Sequence, residues 1–159
     1  MRTACLLLTG ALALSGCSSS DEQPAAATPA DSVTPEAQDE RVEAVLDGVA
    51  LELEVADTRE ERAVGLMRRE SVPAGTGMVF LYDEPSTGRY YMFDVPIPLR
   101  AVFVRDGQVV STVVMPPCGL DEPTACPTYG ADGPYDTVVE TAPETLPDVQ
   151  PGDVFELRG

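Results

Sequence analysis

The sequence predicts a mainly β domain, a sandwich or partly closed barrel of about seven to nine short strands, with one short helix near residues 58–68. Three observations carry that expectation. β-Branched and aromatic runs recur at short spacing between residues 42 and 157, Gly, Pro and Asp separate them, and a helical pattern occurs at a single place. Short strands punctuated in this way build sandwiches and barrels rather than α/β layers.

The first element is not part of that domain. Arg2 precedes an apolar run, Ala4 to Leu14, and the small residues Ser15 and Gly16 stand before Cys17. This is the three-part layout of a secretory signal, here residues 1–16. The run falls short of the roughly 20 apolar residues that a permanent span requires. Leu14-Ser15-Gly16-Cys17 also resembles the lipobox of bacterial lipoproteins, which implies acylation of Cys17 and a lipid anchor of more than one chain. Residues 17–40 follow as a tether of Ser, Pro, Ala, Thr and acids, with Val33 its sole branched apolar residue. Such a segment buries too little surface to offset its ordering entropy. As a coil it would reach on the order of 25 Å from the lipid.

The single folded domain is expected over residues 41–159. Val42 to Leu46, Asp47-Gly48 and Val49 to Val55 read as a hairpin, because Asp-Gly is a favoured two-residue turn. Alternation in the second run places Val49, Leu51, Leu53 and Val55 on one face. Asp57 or Thr58 then caps a helix with Glu60 or Glu61 three residues on, and Arg68 and Arg69 complement its C-terminal dipole. Ala63, Leu66 and Met67 form its expected buried face. Strands follow at 78–82, 89–93, 101–104, 108–115, 135–140 and 154–157, with Asp106-Gly107 turning a second hairpin.

Composition excludes several functions. The chain has 27 acids against ten basic residues, all arginine, for a net charge of −17. Nucleic acid is therefore no partner, since phosphate recognition needs a basic stripe. With no histidine there is no Ser-His or Cys-His dyad, histidine zinc site or histidine general base. With no lysine there is neither Schiff-base chemistry nor a Gly-Lys-Ser/Thr phosphate loop. Carboxylates, cysteine, tyrosine or an oxygen-ligated metal are the remaining routes to catalysis.

Val55-Ala56-Asp57-Thr58-Arg59-Glu60-Glu61-Arg62-Ala63-Val64-Gly65-Leu66-Met67-Arg68-Arg69 resembles the opening motif of the domain of unknown function 192 family. Gly77-Met78-Val79-Phe80, Tyr91-Met92, Ile97-Pro98-Leu99, Pro117-Cys118, Cys126-Pro127-Thr128-Tyr129 and Pro151-Gly152-Asp153 extend the likeness over residues 49–159. The resemblance implies a mainly β, sandwich-like domain and no established activity. Two positions depart from the family pattern: Phe93-Asp94-Val95 replaces a polar Lys-Asn-Thr, and Arg100 replaces an Asp.

Cys118 and Cys126, across a Gly/Pro-containing loop in an exported chain, are expected to form a disulfide. Their spacing suits neither zinc nor a Cys-x-x-Cys redox pair. Met67, Met78, Met92 and Met115 read as core rather than copper ligands, and Asp121, Glu122, Asp132 and Asp136 match no calcium motif, so no metal or cofactor is expected. Tyr90, Tyr91, Tyr129 and Tyr135 with Arg68, Arg69, Arg89, Arg100 and Asp94 are candidates to line a groove for an anionic or sugar-like envelope ligand. The expected function is a lipid-anchored, extracytoplasmic accessory or small-ligand-binding module, leaning away from catalysis. A hydrolase using paired carboxylates on envelope material is the alternative.

Overall fold

A computed structural model describes residues 40–158. The signal segment, Cys17 and the tether up to residue 39 lie outside the described residues. Chain order is β1 (Arg41–Leu46), β2 (Val49–Ala56), α1 (Arg59–Val64), β3 (Thr76–Ser86), β4 (Tyr90–Tyr91), β5 (Leu99–Arg105), β6 (Gln108–Met115), a 3-10 turn (Pro123–Ala125), β7 (Thr128–Tyr129), β8 (Tyr135–Thr141) and β9 (Phe155–Arg158). Seven strands form one sheet in the order β6-β5-β8-β3-β2-β1-β9, and β4 pairs with β7 as a separate ribbon. The fold is mainly β, with nine strands among the described residues.

Both hairpins form where the turn chemistry places them. Asp47 and Gly48 take φ of 47° and 83°, and Asp106 and Gly107 take 50° and 76°. Such values belong to the left-handed turns that match strand twist, which Asp-Gly accommodates at low cost. β2 and β3 are the parallel pair, joined through α1, while the other ladders are antiparallel. The sheet curls until its two edges meet at one end. Gln108 bridges Val154, and Val109 N donates to Asp153 O at 2.9 Å while Phe155 N donates to Gly107 O at 2.9 Å. The result is a half-barrel.

Central strands are buried on both faces, so their runs are continuously apolar rather than alternating. One face contributes Leu53, Val55, Val79, Val102 and Val139 to a first core cluster. The other contributes Met78, Phe80, Ala101, Phe103 and Val138 to a second, over which Leu66, Met92 and Val95 close. In β2, Leu51, Leu53 and Val55 are buried as the alternation predicts, but Val49 at the strand start is exposed beside the turn.

Helix α1 occupies the expected place, with Thr58 as N-cap and a capping box: Glu61 N donates to Thr58 Oγ1 at 3.1 Å and Thr58 N to Glu61 Oε2 at 3.0 Å. The Thr58 N–H bond, made to the ionised carboxylate, is the main cause that holds the Glu61 carboxyl below its usual range. The helix stops at Val64 because Gly65 adopts φ 49° and sends its N–H back to Glu61 O at 2.8 Å. Its expected buried face is corrected in consequence. Ala63 is exposed and Met67 half-buried, and Leu66, in the turn beyond the helix, enters the core. The run 89–93 is likewise shorter than expected, because Asp94 takes φ 56° and turns the chain after Tyr91-Met92-Phe93.

Candidate functional site

β8 lies between β3 and β5, so each of its side chains meets one neighbour on either side. Opposite Glu140 stand Met78 on β3 and Ala101 on β5, and neither offers a hydrogen-bonding side chain. Glu140 is 5% exposed and, among the described residues, no hydrogen bond reaches its carboxylate. Burial alone pushes its carboxyl up to about 8, because a charge loses its hydration there without gaining a partner. The folded domain therefore holds a neutral carboxylic acid at neutral pH.

That group opens onto a cavity of about 130 Å³. Helix α1 supplies Arg62, Ala63 and Val64, and the turn after it Leu66 and Met67. β3 supplies Phe80 and Tyr82, the chain around β4 supplies Arg89 through Met92, and β8 supplies Tyr135 and Glu140. The walls are largely aromatic and packed edge to face: Phe80 and Tyr90 centroids lie 5.3 Å apart at 86°, and Tyr82 and Tyr135 5.6 Å apart at 80°. Their hydroxyls are already engaged. Tyr82 and Tyr90 hydroxyls bond each other at 2.8 Å, and Tyr135 donates to Gly88 O at 2.9 Å. Burial raises both Tyr90 and Tyr135 above the usual phenol range, Tyr135 to about 12, so both remain protonated.

The two arginines of the lining are tied down as well. Arg62 lies over the Tyr82 ring, 4.7 Å from its centroid, and donates to Leu81 O at 2.7 Å and to Asp57 O. Arg89 donates to Thr128 Oγ1 at 2.8 Å and to Thr128 O at 2.7 Å, which fastens β4 to β7. Glu140 is the one acid in the lining.

The residues expected to share a groove are divided among several places. Tyr90 and Tyr91 line the cavity, with Arg89 and Tyr135 beside them. Tyr129 pairs with Tyr90 in the β4–β7 ribbon and packs against the second core cluster. Arg68 and Asp94 form an ion pair at 2.8 Å and line a separate depression next to the cavity, which shares Met92 and Val95 with it. Arg69 pairs with Glu54 on β2. Arg100 stands opposite Thr141, hence on the sheet face away from Glu140, where its Nε is buried without a partner. Cys118 and Cys126 are joined by a disulfide with Cα atoms 5.5 Å apart, outside the cavity lining.

Glu140 was not among the sequence candidates. The available signal was an acid between Val139 and Thr141 at the end of a β-branched run that contains no turn residue. Such an acid is either on a solvated face or deeply buried, and the sheet order decides which.

Two solved structures share this fold. A protein of unknown function from Novosphingobium aromaticivorans DSM 12444 matches with 29% identity and a TM-score of 0.64, over 82% of this chain and 94% of its own. A candidate transcription regulator from Sinorhizobium meliloti 1021 matches with 23% identity and a TM-score of 0.66, over 77% and 97% respectively. At that identity the second likeness concerns the fold alone. No curated protein matches the sequence. The family model of DUF192, described as Uncharacterized ACR, matches residues 42–157, and by that match the chain belongs to the domain of unknown function 192 family.

Proposed function

We propose that this domain is a small-ligand-binding module, held at the outer face of a membrane by acylated Cys17 and the tether that follows it. The observation that carries the binding reading is Glu140: a buried carboxyl without a protein partner, facing a cavity. Protein interiors satisfy their polar groups, and one without a protein partner beside a cavity is completed by water or by a ligand that displaces it. A cavity of about 130 Å³ is close to the roughly 150 Å³ that accepts a benzene-sized guest. Mostly apolar walls with one convergent polar group are the usual composition of such sites. Glycoside hydrolysis by paired carboxylates finds a single acid in this lining and gains no support.

Thermal-shift screening of the full chain against a fragment set tests the reading. Fragments that stabilise the protein should lose their effect in Ala63→Phe, which fills the cavity from exposed helix α1 without entering the core. Stabilisation unchanged in that variant would place the ligands elsewhere and remove the proposal.

A further inference from the structure

Among the described residues, Tyr91 carries its hydroxyl at the exposed side of the cavity wall, and every other polar side chain of the lining but one has a partner within the protein. The Tyr82 and Tyr90 hydroxyls satisfy each other, Tyr135 is bonded to Gly88 O, Arg62 to Leu81 O, and Arg89 to Thr128. Glu140 alone is left, and its ionised form is an acceptor without donors. What Glu140 lacks is therefore a donor, preferably a charged one. Phe80, Tyr90 and Tyr135 belong to the same lining, and aromatic rings attract cations to their faces. Val64, 43% exposed, and Tyr91, 40% exposed, also belong to it and leave apolar surface at the open side.

We infer that the cavity takes a small organic ammonium ion, a primary amine whose –NH₃⁺ pairs with the Glu140 carboxylate while its apolar body lies against the aromatic walls, Val64 and Tyr91. The inference rests on the binding reading above and adds the ligand's chemical class. An anionic ligand would use the remaining N–H groups of Arg62 or Arg89, whose Nη1 and Nη2 respectively already donate to main-chain carbonyls, and would leave the Glu140 carboxyl unpartnered.

Binding exchanges one positive charge for another. The empty site holds a proton on Glu140, the amine arrives as its ammonium ion, and the displaced proton leaves to solvent. Affinity therefore rises with pH, by about tenfold per unit below the point where the empty site ionises. The other charged and titratable groups of the lining are Arg62 on α1, Arg89 before β4, Tyr82 on β3, Tyr90 and Tyr91 on β4 and Tyr135 on β8. Arginines and tyrosines ordinarily titrate well above neutrality, so the dependence between pH 6 and pH 8 belongs to the carboxyl.

Three probes of one size separate the outcomes: benzylamine, benzyl alcohol and benzoate, titrated by calorimetry into the full chain at pH 6, 7 and 8. The expected result is selective benzylamine binding that strengthens about tenfold from pH 6 to pH 7, releases a proton, and loses both its selectivity over benzyl alcohol and its pH dependence in Glu140→Gln. The pH series on the unaltered chain stands alone should that variant fold poorly. Tighter binding of benzoate or benzyl alcohol than of benzylamine would overturn the ammonium assignment and leave the binding site standing. Failure of all three to bind would overturn the assignment and count against the cavity as a ligand site.

Discussion

Gly77 and Glu140 lie so close across the β3–β8 ladder that a Cβ added to Gly77 would stand 2.2 Å from the Glu140 carbonyl oxygen. Backbone, not a movable side chain, occupies that space, so only a residue without a side chain permits the two strands to approach. The strand that carries the cavity acid is thus held at its distance by a hydrogen atom on β3. Gly77→Ala should cost about 3 kcal/mol or more, at the upper end of the usual range for overpacking, as measured by urea unfolding. A variant with unchanged stability would show that β8 can move away freely.

Glu140 makes stability depend on pH in a defined direction. Its folded value of about 8 lies above the ordinary 4.5, so below pH 4.5 both folded and unfolded chains carry the proton and the group adds no pH-dependent cost. Between those limits the unfolded chain ionises while the folded one does not, and stability falls by about 1.4 kcal/mol per unit. Above pH 8 the loss is complete. Glu140→Gln should remove this component and be more stable than the parent at pH 8, which denaturant titrations at pH 5 and pH 8 would measure. Identical pH profiles for parent and variant would contradict a buried, unpartnered acid.

The Cys118–Cys126 bond closes a short loop, with a sequence separation of 8. On the chain-entropy view such a closure stabilises by about 2.5 kcal/mol, and reduction should lower the unfolding midpoint accordingly. Peptide mapping after alkylation without reductant should find neither cysteine modified. Modification of both in the folded protein would leave the bond unformed in solution.

Cys17 is the proposed anchor. Cys17→Ser should prevent acylation and move the protein from the detergent phase to the aqueous phase on phase partitioning, because stable attachment needs the lipid chains. Continued detergent-phase recovery of the variant would require another anchor.

Local chemistry was readable where it acts over a few residues. Asp47-Gly48, Asp106-Gly107 and the Thr58–Glu61 capping box each carry their instruction in two to four positions, and each forms as written. The helix end was missed because Gly65 lies inside a helical pattern, where a glycine is either tolerated or terminal. The site was harder to read for a different reason. Glu140 becomes a buried acid only because β8, late in the chain, inserts between β3 and β5, and no spacing in the sequence announces that order. Tyr90 and Tyr91 were legible as aromatic candidates. Arg100 was separated from them by strand parity, since one residue along β5 reverses the face.

The pairing of β1 with β9 aligns Ala44 with Leu157, so the first strand cannot complete its ladder until nearly the entire domain is present. Insertion of β8 between β3 and β5 imposes a similar wait. Pairings between such distant segments make for slow folding, because loop closure must be met before contacts reward it. The β1–β2 and β5–β6 hairpins are local, but the closed sheet requires the distant strands β8 and β9 and should be completed late. A polypeptide threaded through a translocation pore before folding would arrive still extended, and would close its sheet only on the far side.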